Sequence, residues 1–279
     1  MIKITADSTA DLDRYFSEYN VPIMPLIVTL EGKEYLDGVD IDAQMIFDSY
    51  DKNRTLPKTA ARGIAEYEDF FHDLTADGSE VVHFAVSSEL SSSYSNALAA
   101  ANGMSNVYVV DSKSLSTGIG LLVLKAIDYR EQGLNAKEIF DKVMGLVPHV
   151  QASFVVDTME YLHKGGRCSG VKMIVATVLK IHPQIIVKEG KLVVGQKFTG
   201  KMAKCLEKYV AAVLKEYTPD TSRIFVTHAH SEPEIVEQVV AQIKELLPDV
   251  KEVFTTYAGA TITSHCGKGT LGILFINKP

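Results

Sequence analysis

The sequence predicts an α/β protein of two domains, an N-terminal parallel-sheet α/β domain over residues 1–148 and a C-terminal mixed-sheet α/β domain over residues 149–279. Three observations carry this. Short apolar strands alternate with amphipathic helices through the first half, the pattern of crossover connections that make strands parallel. Three of those strands end in polar pairs, Asp7-Ser8, Ser87-Ser88 and Asp111-Ser112, which a parallel sheet would gather on one rim, where ligands of such sheets bind. Beyond Gln151 the alternation gives way to two apolar runs separated only by Glu189-Gly190, the signature of an antiparallel hairpin with a two-residue turn.

The elements follow in order. Residues 2–6 form a buried strand, and Ser8 or Thr9 caps a helix through Tyr19. Residues 21–30 and 34–36 flank Glu31-Gly32-Lys33 as a hairpin. A helix over 43–50 leads into a loop over 56–63, then a helix over 64–74 and a strand over 81–86. A hydroxyl-capped helix to about Asn102 precedes a strand over 107–110, and helices over 116–132 and 136–147 complete this half. The second half begins with a strand over 153–156, a glycine-rich loop over 165–170 and a very apolar helix over 171–180. The hairpin strands 184–188 and 191–197 come next. Then follow a helix over 202–216, a strand over 224–227, a helix over 233–247, and strands over 253–256 and 271–276, helices lying on one face of the sheet.

Composition narrows the function. A chain of 279 residues with formal charge −7 and no basic stripe is a poor partner for a nucleic-acid backbone. Three cysteines, Cys168, Cys205 and Cys266, without paired spacing imply reduced thiols in a cytoplasmic setting. No apolar run approaches the ~18 residues of a membrane span, and the first residues lack a signal-peptide pattern.

Residues 83–97 are the most informative stretch. An apolar run ends in a cluster of hydroxyls, and Leu90, Tyr94, Ala97 and Leu98 then recur at helical spacing. Ser91, Ser92 and Ser93 therefore fall where a helix start leaves backbone N–H groups without partners, a place that suits an anion. No glycine-rich phosphate loop accompanies it, so a small carboxylate fits as well as a phosphate. The plain alternative is a serine N-cap.

Several motifs together resemble the bacterial DegV family. They are Ala6-Asp-Ser-Thr-Ala-Asp11, Ser87-Ser-Glu-Leu-Ser91, Val110-Asp-Ser112 with Ser116-Thr-Gly-Ile-Gly120, Gly166-Arg167, and Ser264-His-Cys-Gly-Lys-Gly-Thr270. They span the whole chain in the family's order. The resemblance implies a lipid-binding carrier, not an enzyme, that holds a long-chain fatty acid between two domains and presents its carboxylate to a separate fatty acid kinase. It implies no cofactor and no stable membrane insertion. The family's carboxylate contacts carry over to Thr59, Ser91, the amide of Ser92, and His265. Here Ser92 replaces a usual glycine, Ala60-Ala-Arg-Gly63 replaces Ser-Gln-Pro-Ser, and Lys268 replaces a proline.

The chemistry such a site requires is modest. A carboxylate removed from water needs hydrogen bonds or a charge partner. Thr59 and Ser91 supply neutral donors, and His265, if protonated, would balance the charge. Residues 118–124 and 171–179 are apolar enough to line a tail slot or to fill a core. Arg167, between glycine and cysteine, projects at the site mouth as a partner contact or pins its loop. Arg62, absent from the usual pattern, reaches the head group or, more simply, lies solvated on the first helical turn. Asp7 and Asp111 read as strand-end caps. His228 and His230 have the spacing of two ligands on one strand face, but no third metal ligand accompanies them. The enzyme alternative is a serine-type acyl hydrolase using Ser91 and His265; Gly-x-Ser-x-Gly is missing around every candidate serine.

Overall fold

Continuous apolar runs become the centre of the first half because their strands are buried on both faces. In the computed structural model, which describes residues 1–167 and 181–278, β1 (Ile2–Asp7), β2 (Ile23–Met24), β6 (Glu80–Ala85) and β7 (Val107–Asp111) form a four-stranded parallel sheet in the order β2-β1-β6-β7. Tyr67, Phe71 and Ala97, from α3 (Ile64–Thr75) and α4 (Ser93–Ala100), cover one face with Val81 and Val109. The other face packs on α5 (Thr117–Glu131) and α6 (Ala136–Leu146) through Ile4, Val82, Phe84 and Val110.

A small antiparallel sheet of β3 (Ile27–Leu30), β4 (Lys33–Leu36) and β5 (Lys58–Ala60) lies beside it. The β3–β4 hairpin turns on Glu31 and Gly32, both at positive φ, the arrangement that fits a two-residue turn to the strand twist. Between β4 and β5 runs α2 (Ala43–Asn53), capped by the Asp42 carboxylate on the Met45 amide.

The second half is a six-stranded mixed sheet in the order β10-β9-β8-β13-β11-β12. Its strands are β8 (Val150–Val155), β9 (Ile181–Lys188), β10 (Lys191–Thr199), β11 (Pro219–His228), β12 (Val253–Tyr257) and β13 (Leu271–Asn277); only the β11–β12 pair is parallel. Glu189 and Gly190 make the expected hairpin turn, again with both φ positive. Leu206, Tyr209 and Val210 of α8 (Met202–Glu216) and Val236, Val239 and Ile243 of α9 (Pro233–Leu246) bury one face. Helix α5 touches the other, against β8, β11 and β13.

That position explains α5. Wedged between the two sheets, it is buried from Thr117 to Leu124 without an exposed stripe, as a helix covered all round must be. Residues 118–124 are accordingly core, not tail slot. Gly120 is required by close approach, since a Cβ there would lie 2.6 Å from the Leu12 side chain and 3.1 Å from the Ala10 carbonyl.

Other expectations are corrected. The helix expected to run through Tyr19 is a single 3-10 turn at Ser8–Ala10, then Asp11 and Asp13 at positive φ, then one short helix, α1 (Tyr15–Glu18). Ser8 caps nothing; its hydroxyl donates to Asp37 Oδ2 at 2.8 Å and accepts from the Leu26 amide. Residues 58–60 are not loop, because pairing with β3 makes them a strand. Two helices were not anticipated, α7 (Glu160–Lys164) and α10 (Ala260–Cys266). The apolar helix expected over 171–180 lies outside the described residues.

Candidate functional site

Helix α10 organises the site, and the first half of the chain holds its start. Its opening amides have no helical acceptors. Gly259 N–H donates to Asp11 Oδ1 at 2.9 Å and Ala260 N–H to Asp37 Oδ1 at 2.8 Å. Ser116 and Ser8 hydroxyls donate to the second oxygens of these two carboxylates. Burial raises the Asp11 carboxyl well above its ordinary range, with Ser116 and the Gly259 amide opposing.

The polar strand ends do meet, as ties between strands. Asp7 accepts from the Val86 amide at 3.0 Å and the Tyr67 hydroxyl at 2.6 Å; Asp111 accepts from the amides of Ser88 and Lys113, each at 3.1 Å. These bonds shape the turn after β6 that carries Ser91. There Ser91 Oγ accepts from the Ser93 amide at 3.2 Å and lies 3.0 Å from Ser93 Oγ, so Ser91, one residue before the N-cap position, satisfies the first amide of α4. Ser92 is exposed and its hydroxyl caps nothing.

Beside this turn is a cavity walled by residues of both halves of the chain. Thr59, Ser91, Arg167 and His265 all line it; Ser92 does not. Leu26, Leu90, Phe154, Leu162, Leu192 and Leu274 give it a mainly apolar wall. Thr59 Oγ1 and His265 Nε2 are 2.8 Å apart. His265 Nδ1 is buried with no hydrogen-bond partner among the described residues, packed against Gly165.

Burial first, and the Arg167 charge second, push the His265 imidazole down to about 4. It is neutral in this cavity, so it does not carry the balancing charge expected of it; Arg167 is the one lysine or arginine among the described lining residues. The Arg167 guanidinium does not project outward: Nη1 donates to the Gly165 carbonyl at 2.9 Å and Nε to the Leu90 carbonyl at 3.4 Å. Arg62 is not solvated either. It pairs with Glu66, its side chain is mostly buried, and its carbonyl accepts from Asn96.

The hydrolase arrangement is not assembled. A serine triad needs a carboxylate on the far nitrogen of its histidine, and His265 Nδ1 meets none among the described residues, while Ser91 turns to Ser93. Cys266 is buried and its thiol is pushed up to about 12, far from a nucleophile. His228 and His230 do not share a strand face, because β11 ends at His228 and His230 has φ of 51°. Among the described residues no group of three His, Cys, Asp or Glu could hold a metal. Lys268 lies over the Phe47 ring, 5.6 Å from its centre.

Sequence reasoning missed the further wall residues Thr9, Thr261 and His228. Their only signal was position: each flanks a polar strand end or lies one helical turn before His265.

The model of a family described as uncharacterised protein, DegV family, matches residues 1–278. A DegV domain-containing protein of Clostridium acetobutylicum is 32% identical over 202 residues, covering 71% of this chain and 72% of its own. Among solved structures, a Thermus thermophilus DegV family protein described for its fatty acid binding superposes with a TM-score of 0.88 at 26% identity, covering 99% of each chain. A Bacillus subtilis DegV, described as a fatty acid binding protein, gives 0.83 at 26% identity, covering 99% of each chain.

Proposed function

The chain belongs to the DegV family, and from that premise we propose that it binds a long-chain fatty acid in the cavity between its halves and presents the carboxylate to a separate fatty acid kinase. The observation that carries this reading is the cavity itself. An apolar wall closes at one end on two hydroxyls, a neutral imidazole and one guanidinium, a composition suited to an acyl chain with an acidic head. Fatty acid binding by the Thermus and Bacillus relatives supports it.

In this reading Thr59, Ser91 and His265, which line the cavity, hold the carboxylate; Ser92, expected to add its amide, is off that wall, and Arg167, a cation on the wall tied to the Leu90 and Gly165 carbonyls, meets the partner's acidic or phosphate groups with what its guanidinium leaves free. Burying about fifteen methylenes is worth on the order of 10 kcal/mol at ~0.8 each. The tail therefore dominates affinity and the head group sets orientation. The protein acts as a carrier in the cytoplasm, without cofactor and without catalysis of its own; no described helix is long and apolar enough to cross a membrane. We place the boundary between domains at 148/149, in the 3-10 turn Val147–His149 that separates α6 from β8.

Mass spectrometry of the purified, denatured protein tests binding: one free fatty acid per chain is expected. With a fatty acid kinase and ATP, the loaded protein should yield acyl phosphate, and neither component alone should. Ester hydrolysis by the isolated chain, abolished by Ser91→Ala, would overturn the carrier reading in favour of the hydrolase.

A further inference from the structure

Two threonines of the cavity wall carry buried hydroxyls that have no hydrogen-bond partner among the described residues. Thr9 and Thr261 are 1% and 6% exposed, both line the cavity, and the Oγ1 of each is buried without a hydrogen bond among the described residues. A buried hydroxyl left unpaired costs about 1–3 kcal/mol, and such groups are rare enough in native proteins that each calls for an explanation. Thr9 is the middle residue of the 3-10 turn Ser8–Ala10, and Thr261 is in the first turn of α10, which packs directly on that turn.

A third polar residue, His228, lines the same cavity. The His228 carbonyl accepts from the Ala258 amide, two residues before α10 begins, and the His228 side chain also lines the cavity. Its Nδ1 accepts from the Ser231 amide at 3.2 Å, which assigns the ring proton to Nε2 and makes that nitrogen a donor. Burial pushes this imidazole down to about 4, so the group is neutral.

Thr261 and His265 are four residues apart on one helix, and therefore on one face, about 6 Å apart along the axis. Thr261 thus lies one helical turn away from His265 of the head-group cluster, and Thr9 is in the turn that packs on α10, a distance at which a plain acyl chain would offer only methylenes. Covering the two hydroxyls with hydrocarbon would leave their cost in place; an oxygen on the ligand would remove it.

We propose that Thr9 and Thr261, with His228 beside them, form a second polar subsite that takes an oxygen function, a hydroxyl or a keto group, carried on the near half of the acyl chain. This rests on the fatty acid reading above and deepens it, naming oxygenated long-chain acids as the favoured ligand class.

The test is competition binding of octadecanoic acid against hydroxyoctadecanoic acids that differ only in hydroxyl position. In the wild type, an isomer hydroxylated in the near half of the chain should bind about tenfold tighter than octadecanoic acid. In Thr9→Val/Thr261→Val this advantage should vanish, while octadecanoic acid binds at least as tightly as before. Should the double variant not fold, Thr261→Val alone is expected to reduce the advantage severalfold. No positional preference in the wild type, as when water alone satisfies the hydroxyls, overturns the subsite, and so does a preference that survives the valines. Failure of octadecanoic acid itself to bind the wild type would overturn the carrier reading, and this proposal with it.

Discussion

Thr59 and His265 are 206 positions apart in sequence and their Oγ1 and Nε2 atoms are 2.8 Å apart in space. Neither comes from a mobile loop. Thr59 is paired across from Val28 in the small sheet, and His265 rides on the last turn of α10, whose first turn is fixed by carboxylates of the other half. The contact is therefore made by two rigid elements, and a carboxylate arriving between them would meet donors already in position.

The first expected outcome concerns those donors. Thr59→Val and Ser91→Ala each remove a hydroxyl that would bond a charged acceptor, worth about 1.5–3 kcal/mol. Each should weaken fatty acid binding by more than tenfold while the chain still folds, at a cost of about 0.5–2 kcal/mol in stability for the lost Ser91–Ser93 or Thr59–His265 bond. A double variant that co-purifies with as much lipid as the wild type would remove both residues from the head-group site.

Gly165 gives a second outcome. Its φ of −73° is open to any residue, so only space demands glycine. An added Cβ would press on His265 Nδ1 and come within 2.9 Å of the Tyr161 carbonyl, and backbone cannot yield as a side chain can. Gly165→Ala should swing His265 off Thr59, cut lipid retention about tenfold, and cost about 1–3 kcal/mol of stability. Unchanged retention and stability would show the ring is free to move.

How much of this was legible in the sequence depended on whether a segment's own residues decide its structure. Residues 81–86 could be read because an unbroken apolar run suits a strand covered on both faces, and Glu189-Gly190 because that turn requires positive φ. The helix over 202–216 matched to the residue, since its apolar stripe alone specifies it. Helix α10 could not be read. Thr261, Ile262 and Thr263 are β-branched and favour a strand, and the helix exists because Asp11 and Asp37, more than two hundred residues earlier, accept from its first amides. Strand β5 is likewise three residues long and made by its partner. Residues 118–124 read as core more readily than as slot, but only the two sheets closing on them decide it.

A third outcome follows from charge. His265 and His228 are pushed down to about 4 in the folded protein, against about 6.5 when unfolded. Between those values the unfolded chain binds more protons, so stability should fall as pH drops from about 6.5 towards 4. The slope is at most about 1.4 kcal/mol per pH unit for each histidine. Asp11, raised by burial, acts in the opposite sense, because the folded state then takes up its proton before the unfolded one. Comparing wild type with His265→Gln by urea unfolding across this range cancels Asp11 and His228, and the variant should show the shallower slope. A bound carboxylate beside the imidazole favours its charged form, so loading with fatty acid should flatten the wild-type slope as well. Identical slopes in wild type and variant would mean His265 is not held neutral.

Arg167 separates binding from presentation. Its guanidinium ties the Leu90 carbonyl to the Gly165 carbonyl, joining the turn that carries Ser91 to the loop packed on His265, and it is a cation on the cavity wall. If it served only as that tie, Arg167→Ala would loosen both loops, and lipid binding and acyl phosphate formation would fall together. If it also meets the kinase or the incoming phosphate, acyl phosphate formation should fall about tenfold further than binding. Arg167→Lys sharpens the comparison, because an ammonium keeps the charge but cannot reproduce the planar fork that spans two carbonyls. Lysine should therefore restore acyl phosphate formation more than it restores lipid retention. Parallel loss of both activities in alanine and lysine variants would leave Arg167 as a loop tie alone.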